Sequence, residues 1–250
     1  MTDYEIDITT PDGAMNTFVA HPEGNGPFAP VLMFMPASGI RDELCDMARR
    51  LAGMGYLVLL PNMFYPLARV VDIDANRLFD DDYAPVRDYM MALHADCTNA
   101  RAARDTGAML THLDTMAEAA PGPVGTVGYC MGGRLALNAI GHFPDRIRAM
   151  VSMYGGALHT DQPDSPHLLA DRVTGEMYFG VAENDAYVEM AMNDRLRAHL
   201  DAVGAPYAME IFAGCEHGFC FPKRYCYAPE ADARHWQVMA ELFARHLSAP

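Results

Sequence analysis

The chain has 250 residues, 51% of them apolar, and a formal net charge of −15. That length and apolar content suit one packed domain with a large core and exclude a disordered chain. Acidic residues are spread along the sequence with no basic stripe to neutralise phosphates, so neither nucleic acid nor membrane is an expected partner.

Residues 1–10 are polar and acidic, without the basic start and apolar run of an export signal. Residues 4–8 and 17–20 flank Pro11-Asp12-Gly13 and predict a β-hairpin. The apolar run 31–35, introduced by Pro30, predicts the first buried strand. Leu44, Met47, Ala48 and Leu51 recur at helical spacing, and Gly55 closes that helix. Residues 56–60 predict a strand ended by Pro61-Asn62. The segment 63–96 reads as irregular and acidic, long enough without periodicity to serve as a lid. Residues 100–119 predict a long helix stopped by Pro121-Gly122-Pro123. A buried strand at 124–127 runs into a helix at 134–140, and a strand at 149–153 follows. Strands at 176–181 and 207–212 flank a helix over 188–200. Trp236, Met239, Ala240, Phe243 and Leu247 mark the inner stripe of a C-terminal helix. Strands alternating with helices predict an α/β fold, a mainly parallel central sheet with helices on both faces, in one domain over 1–250. No stretch approaches the roughly 18 apolar residues of a membrane span. Cys45, Cys97, Cys130, Cys215, Cys220 and Cys226 read as free thiols in a reducing compartment, so a cytoplasmic location is expected.

Gly128-Tyr129-Cys130-Met131-Gly132-Gly133 sits where the strand at 124–127 meets a helix, the context of a nucleophile elbow with cysteine at its tip. A side chain exposed at such a turn needs a strained backbone, and the residues two positions either side must lack colliding side chains. Gly128 and Gly132 meet that need. The helix that begins there directs free N–H groups and its positive end at the thiol, favouring a thiolate and then an oxyanion.

A thiol nucleophile needs a base, and the base an orienting acid. Asp185 follows the strand at 176–181, and His217 follows the strand at 207–212 on a glycine-rich loop, so both stand where loops at the carboxyl edge of a sheet carry chemistry. Glu183 and Glu216 are the rival acids. His94, His112, His199, His235 and His246 fall on helices and read as solvated or half-buried. Cys215, His217, Cys220 and Cys226 lie close together but lack the paired ligand spacing of a zinc site, so no metal and no cofactor is expected. Ser38 precedes a helix without the elbow's glycine spacing and reads as a loop or capping hydroxyl. For the oxyanion, the backbone N–H groups of Met131 and Ala37 are the candidate donors, since Pro36 has none.

With these motifs the chain resembles the dienelactone hydrolase family over nearly its whole length. The likeness includes the hairpin, Gly128 to Gly133, Tyr154-Gly155-Gly156, Asp185-Ala186-Tyr187-Val188 and His217-Gly218-Phe219. The resemblance implies an α/β-hydrolase fold and a Cys130–His217–Asp185 triad that cleaves an activated ester or lactone through a thioester. It also implies a small-molecule substrate and a monomer or small homo-oligomer. Two departures stand out. The best-known members carry a glutamate where this chain has Pro36, and an arginine for the substrate carboxylate where it has Phe221. Arg69, Arg77, Lys223 and Arg224 are the candidate replacements for that arginine, and Pro36, Tyr129 and Phe221 are further candidates to touch substrate. The two departures point toward a less anionic, aromatic or longer substrate. They also motivate the alternative reading of a weak or inactive member that binds small molecules.

Overall fold

Mostly apolar runs form the strands buried on both faces. The computed structural model describes residues 1–71 and 73–247. It contains β1 (Thr2–Thr10), β2 (Gly13–His21), β3 (Ala29–Phe34), β4 (Tyr56–Pro61), β5 (Val124–Tyr129), β6 (Ile147–Met153), β7 (Glu176–Ala182) and β8 (Tyr207–Phe212). They make one eight-stranded sheet in the order β1-β2-β4-β3-β5-β6-β7-β8. β2 pairs antiparallel with β1 and β4, and every other neighbouring pair is parallel. Strands β3 and β5 are buried at every position, as parallel strands covered on both faces must be. β1 and β8, at the two edges, keep exposed residues along their length.

The helices are α1 (Asp42–Ala52), α2 (Ala84–Asp96), α3 (Asn99–Leu113), α4 (Met131–His142), α5 (Met190–Val203) and α6 (Pro229–His246). From β3 the chain steps outward through α1 to β4, whereas from β5 it steps the other way through α4 to β6. The strand order therefore reverses between the adjacent strands β3 and β5, opening a crevice beyond their carboxyl ends. Among the described residues no helix is long and apolar enough to cross a membrane.

Three sequence readings need correction. Segment 63–96 is not irregular throughout: a short 3₁₀ turn, Asp81–Tyr83, leads into α2. Only Met90 and Leu93 of α2 are buried, so it has too narrow an apolar stripe to show in the sequence. The helix expected over 100–119 ends at Leu113. The chain then turns so that Phe28 N–H donates to Glu118 O at 2.7 Å and Ala120 N–H to Phe28 O at 2.8 Å. The helix expected from 188 begins at Met190, because the Asp185 carboxylate holds the N–H groups of Tyr187 and Val188 in a turn.

Gly128 and Gly132 pack as the elbow requires. A Cβ on Gly128 would meet the Gly132 carbonyl, and one on Gly132 would meet the Phe34 carbonyl. Neither obstacle is a side chain that could swing away. Gly132→Ala is therefore expected to cost about 3 kcal/mol, the upper end for overpacking, and to lower the thermal midpoint by about 6–12 °C. A midpoint within about 2 °C of wild type would show that β3 and α4 can separate without loss.

Candidate active site

Cys130 occupies φ 57° and ψ −116°, a backbone region that non-glycine residues avoid. Its conformation is held from both sides. Its N–H donates to Met153 O at 3.1 Å, and its carbonyl accepts from Gly133 N–H at 3.0 Å and Gly156 N–H at 3.3 Å. The thiol thus stands at the strand-order reversal, beside the backbone N–H groups of Met131 and Ala37. Burial pushes the Cys130 thiol up, but the neighbouring His217 and those two amides outweigh it and leave the thiol below its ordinary value.

His217 lies on the loop after β8, followed by Gly218 at φ 95°. Its Nδ1 is 2.7 Å from Asp185 Oδ2. Asp185 is fixed in turn, its Oδ1 accepting from Tyr187 N–H at 2.8 Å and Val188 N–H at 2.9 Å. The other ring nitrogen, Nε2, is buried without a hydrogen bond of ordinary geometry and faces the Cys130 thiol. Burial works against a charge on His217, yet the Cys130 sulfur and the Asp185 carboxylate together raise it to about 9. Both shifts favour a thiolate–imidazolium pair at neutral pH. The rival acids have other partners: Glu183 accepts from Gly214 N–H at 2.7 Å, and Glu216 from Tyr225 Oη at 3.1 Å.

A cavity of about 360 Å³ opens over Cys130 and His217. Pro36 and Phe221 line it, together with Leu78, Phe79, Met90 and Tyr187. Phe79 and Tyr187 are both exposed and stack at 5.3 Å across its mouth. Arg224 also enters this cavity with only 8% exposure, and its Nε and Nη1 have no hydrogen-bond partner. The Phe221 position therefore holds no cation, but the chain returns three residues later to supply one.

Other expected contacts fail. Tyr129 does not reach the cavity: it is fully buried, with its hydroxyl 3.0 Å from His235 Nε2. Side chains alternate along a strand, so the residue before the turn points away from the thiol that the turn presents. Arg69 pairs with Asp7 at 2.9 Å, and with Lys223 it lines an adjoining cavity of about 730 Å³ that shares Arg41, Ala75 and Arg224 with the one over Cys130. Arg77 is exposed and pairs with Asp80 and Asp82. His235, expected to be solvated or half-buried, is completely buried.

Arg41, Arg87 and His94 line the active cavity and were not legible as site residues. Arg41 hydrogen-bonds Ser38 Oγ and pairs with Glu43 at 3.5 Å, while Arg87 donates to Leu78 O at 2.9 Å. The position of Arg41, just after the Pro36-Ala37-Ser38 loop, was the one available signal. The other two lie on α2, which lacks a visible stripe.

The Dienelactone hydrolase family model matches residues 15–247. A protein of Synechocystis sp. (strain ATCC 27184 / PCC 6803 / Kazusa) with the provisional name carboxymethylenebutenolidase is 24% identical over 234 residues, covering 92% of this chain and 91% of that protein. Among solved structures, the dienelactone hydrolase-like promiscuous phosphotriesterase P91 from metagenomic libraries superposes with a TM-score of 0.81 at 22% identity, over 99% of each chain. Dienelactone hydrolase from Anabaena variabilis ATCC 29413 gives 0.68 at 19% identity, again over 99% of each chain. These structures share the α/β-hydrolase fold. With a family model that spans nearly the whole sequence, the chain belongs to the dienelactone hydrolase family and is a carboxylic ester hydrolase.

Proposed function

We propose that the protein hydrolyses an activated ester or lactone by covalent catalysis with Cys130 as nucleophile, His217 as proton carrier and Asp185 as its orienting acid. The observation that carries this reading is the alignment of Asp185 Oδ2, 2.7 Å from His217 Nδ1, with a buried Nε2 facing the thiol at the strained elbow. The Cys130 thiolate attacks the carbonyl carbon. The resulting oxyanion lies under the N–H groups of Ala37 and Met131, each worth about 3 kcal/mol in the transition state. The adduct collapses with cleavage of the C–O bond, and the His217 imidazolium gives its proton to the departing oxygen. Neutral His217 then takes a proton from water as that water attacks the thioester, and Cys130 leaves as thiolate. A thiolate is itself a good leaving group, so the alcohol oxygen must be stabilised, as in an enol or aryl ester, to leave in competition with it.

The cavity suggests the rest of the substrate. Leu78, Phe79, Met90 and Phe221 fit an apolar body, and the Arg224 guanidinium, whose Nε and Nη1 have no partner, fits a carboxylate. Arg224 takes the part that Phe221 cannot.

The thiolate–imidazolium pair supplies the test. A thiol that relies on His217 should react with iodoacetamide with a midpoint below the ordinary thiol value of 9.0. In His217→Ala the midpoint should move above that value, since burial then acts without the compensating charge. Above a pH of about 9 the imidazolium is lost, so kcat/KM should fall on the alkaline side. Identical alkylation profiles for the two proteins would remove His217 from the reading.

A further inference from the structure

Away from the substrate cavity, Cys220, Asp232 and His235 each place one metal-ligand atom within 4.8 Å of the others. Their exposures are 1%, 5% and 0%. The loop that carries His217 contributes the cysteine. Helix α6 contributes Asp232 and His235, three residues apart and so on one face. Around Cys220 the linear sequence has no paired ligands, and folding supplies the pair from α6.

We propose that this cluster binds a divalent, borderline-soft cation of the zinc type through Cys220 Sγ, Asp232 Oδ1 and His235 Nδ1. Nδ1 and Oδ1 are 3.2 Å apart and share a proton that a cation would replace. His235 Nε2 lies 3.0 Å from the Tyr129 hydroxyl, so the displaced proton has a place on Nε2 with Tyr129 Oη as its acceptor. A histidine ligand with its second nitrogen held in this way is the usual arrangement at metal sites. The second oxygen, Asp232 Oδ2, faces outward to Tyr227 Oη at 3.2 Å and Arg50 at 3.7 Å, leaving Oδ1 for the ion.

The charge count agrees with a bound ion. Thiolate, carboxylate and neutral imidazole bring two negative charges to a dication, so no net charge is left buried. Binding releases one proton, that of the Cys220 thiol, while His235 keeps its single ring proton on the other nitrogen. The Tyr154 hydroxyl is buried with no partner of ordinary geometry and lies against Cys220. A thiolate there would give it a strong acceptor. The ligand set of one sulfur, one nitrogen and one oxygen donor suits zinc, and cobalt can stand in for it. The ion would fasten α6 to the loop carrying His217 and, through the hydroxyl of Tyr129, to the end of β5 just before Cys130.

Titration of the full-length protein with Co²⁺ alone tests this proposal. Expected is one cobalt per chain with a thiolate-to-cobalt charge-transfer band, lost in Cys220→Ala, and affinity lowered at least about 100-fold in His235→Gln. Absence of the band from wild type would overturn the proposal, whatever the folding of the variants. A band that survives in Cys220→Ala would assign the metal to another thiol and overturn it equally. Zn²⁺ should also raise the wild-type thermal midpoint, and no rise at saturating Zn²⁺ would count against the site.

Discussion

Cys130→Ala is expected to lower kcat for p-nitrophenyl acetate by about 10⁴-fold or more while leaving the fold intact. The size of the loss follows from the roles. Without sulfur there is no thioester, and His217 has nothing to deprotonate but water held in the wrong place. The N–H groups of Ala37 and Met131 remain, so a residual rate above that of bulk water should persist. Intact-mass spectrometry during turnover gives a second reading of the same point: an acyl group should appear on wild type and never on Cys130→Ala. Retention of a tenth or more of wild-type activity (about 1.4 kcal/mol in barrier) would mean that the thiol is not the nucleophile.

Arg224→Met should separate binding from chemistry. A buried guanidinium that loses its only anionic partner, or an anion that loses its guanidinium, costs about 2–5 kcal/mol. For a dienelactone bearing a carboxylate, KM should therefore rise at least about 30-fold, whereas p-nitrophenyl acetate, which has no carboxylate, should change by about twofold at most. Arg69→Met and Lys223→Met provide the contrast. Both side chains line the larger polar cavity rather than the one over Cys130, so neither should alter KM for the dienelactone. An equal loss on both substrates in Arg224→Met would make that residue structural. No loss on either would return the choice to the less anionic ester that Phe221 first suggested.

The elbow, the order of Cys130, Asp185 and His217, and the parallel sheet could be read directly from residue order. Each depends on short-range chemistry: glycines at fixed offsets, an apolar run ending in a turn, a loop after a strand. The arginines could not be read in this way. Arg69, Lys223 and Arg224 look equivalent in the sequence, yet only Arg224 of the three lines the cavity over Cys130, at its boundary with the larger cavity that all three line. Tyr129 failed for a related reason. Its closeness to Cys130 in sequence suggested closeness to substrate, but strand alternation turns it toward His235. Helix α2 is not legible because Tyr89, Met91, Ala92 and Ala95 stand on its exposed face, so no apolar stripe stands out around the buried Met90 and Leu93. With it went Arg87 and His94, which only a folded α2 brings to the cavity.

The two N–H groups above Cys130 come from the main chain, and this bears on how the activity drifts over long divergence. A donor made by a side chain can be erased by any of many codon changes. A donor made by the peptide backbone survives every replacement at its own position except proline. Replacements at positions 37 and 131 therefore keep the donor, and what limits them is the packing of two buried side chains. Proline already stands one step away, at Pro36. Its displacement by a single residue toward Ala37 would remove that donor and leave the Met131 N–H to hold the anion alone.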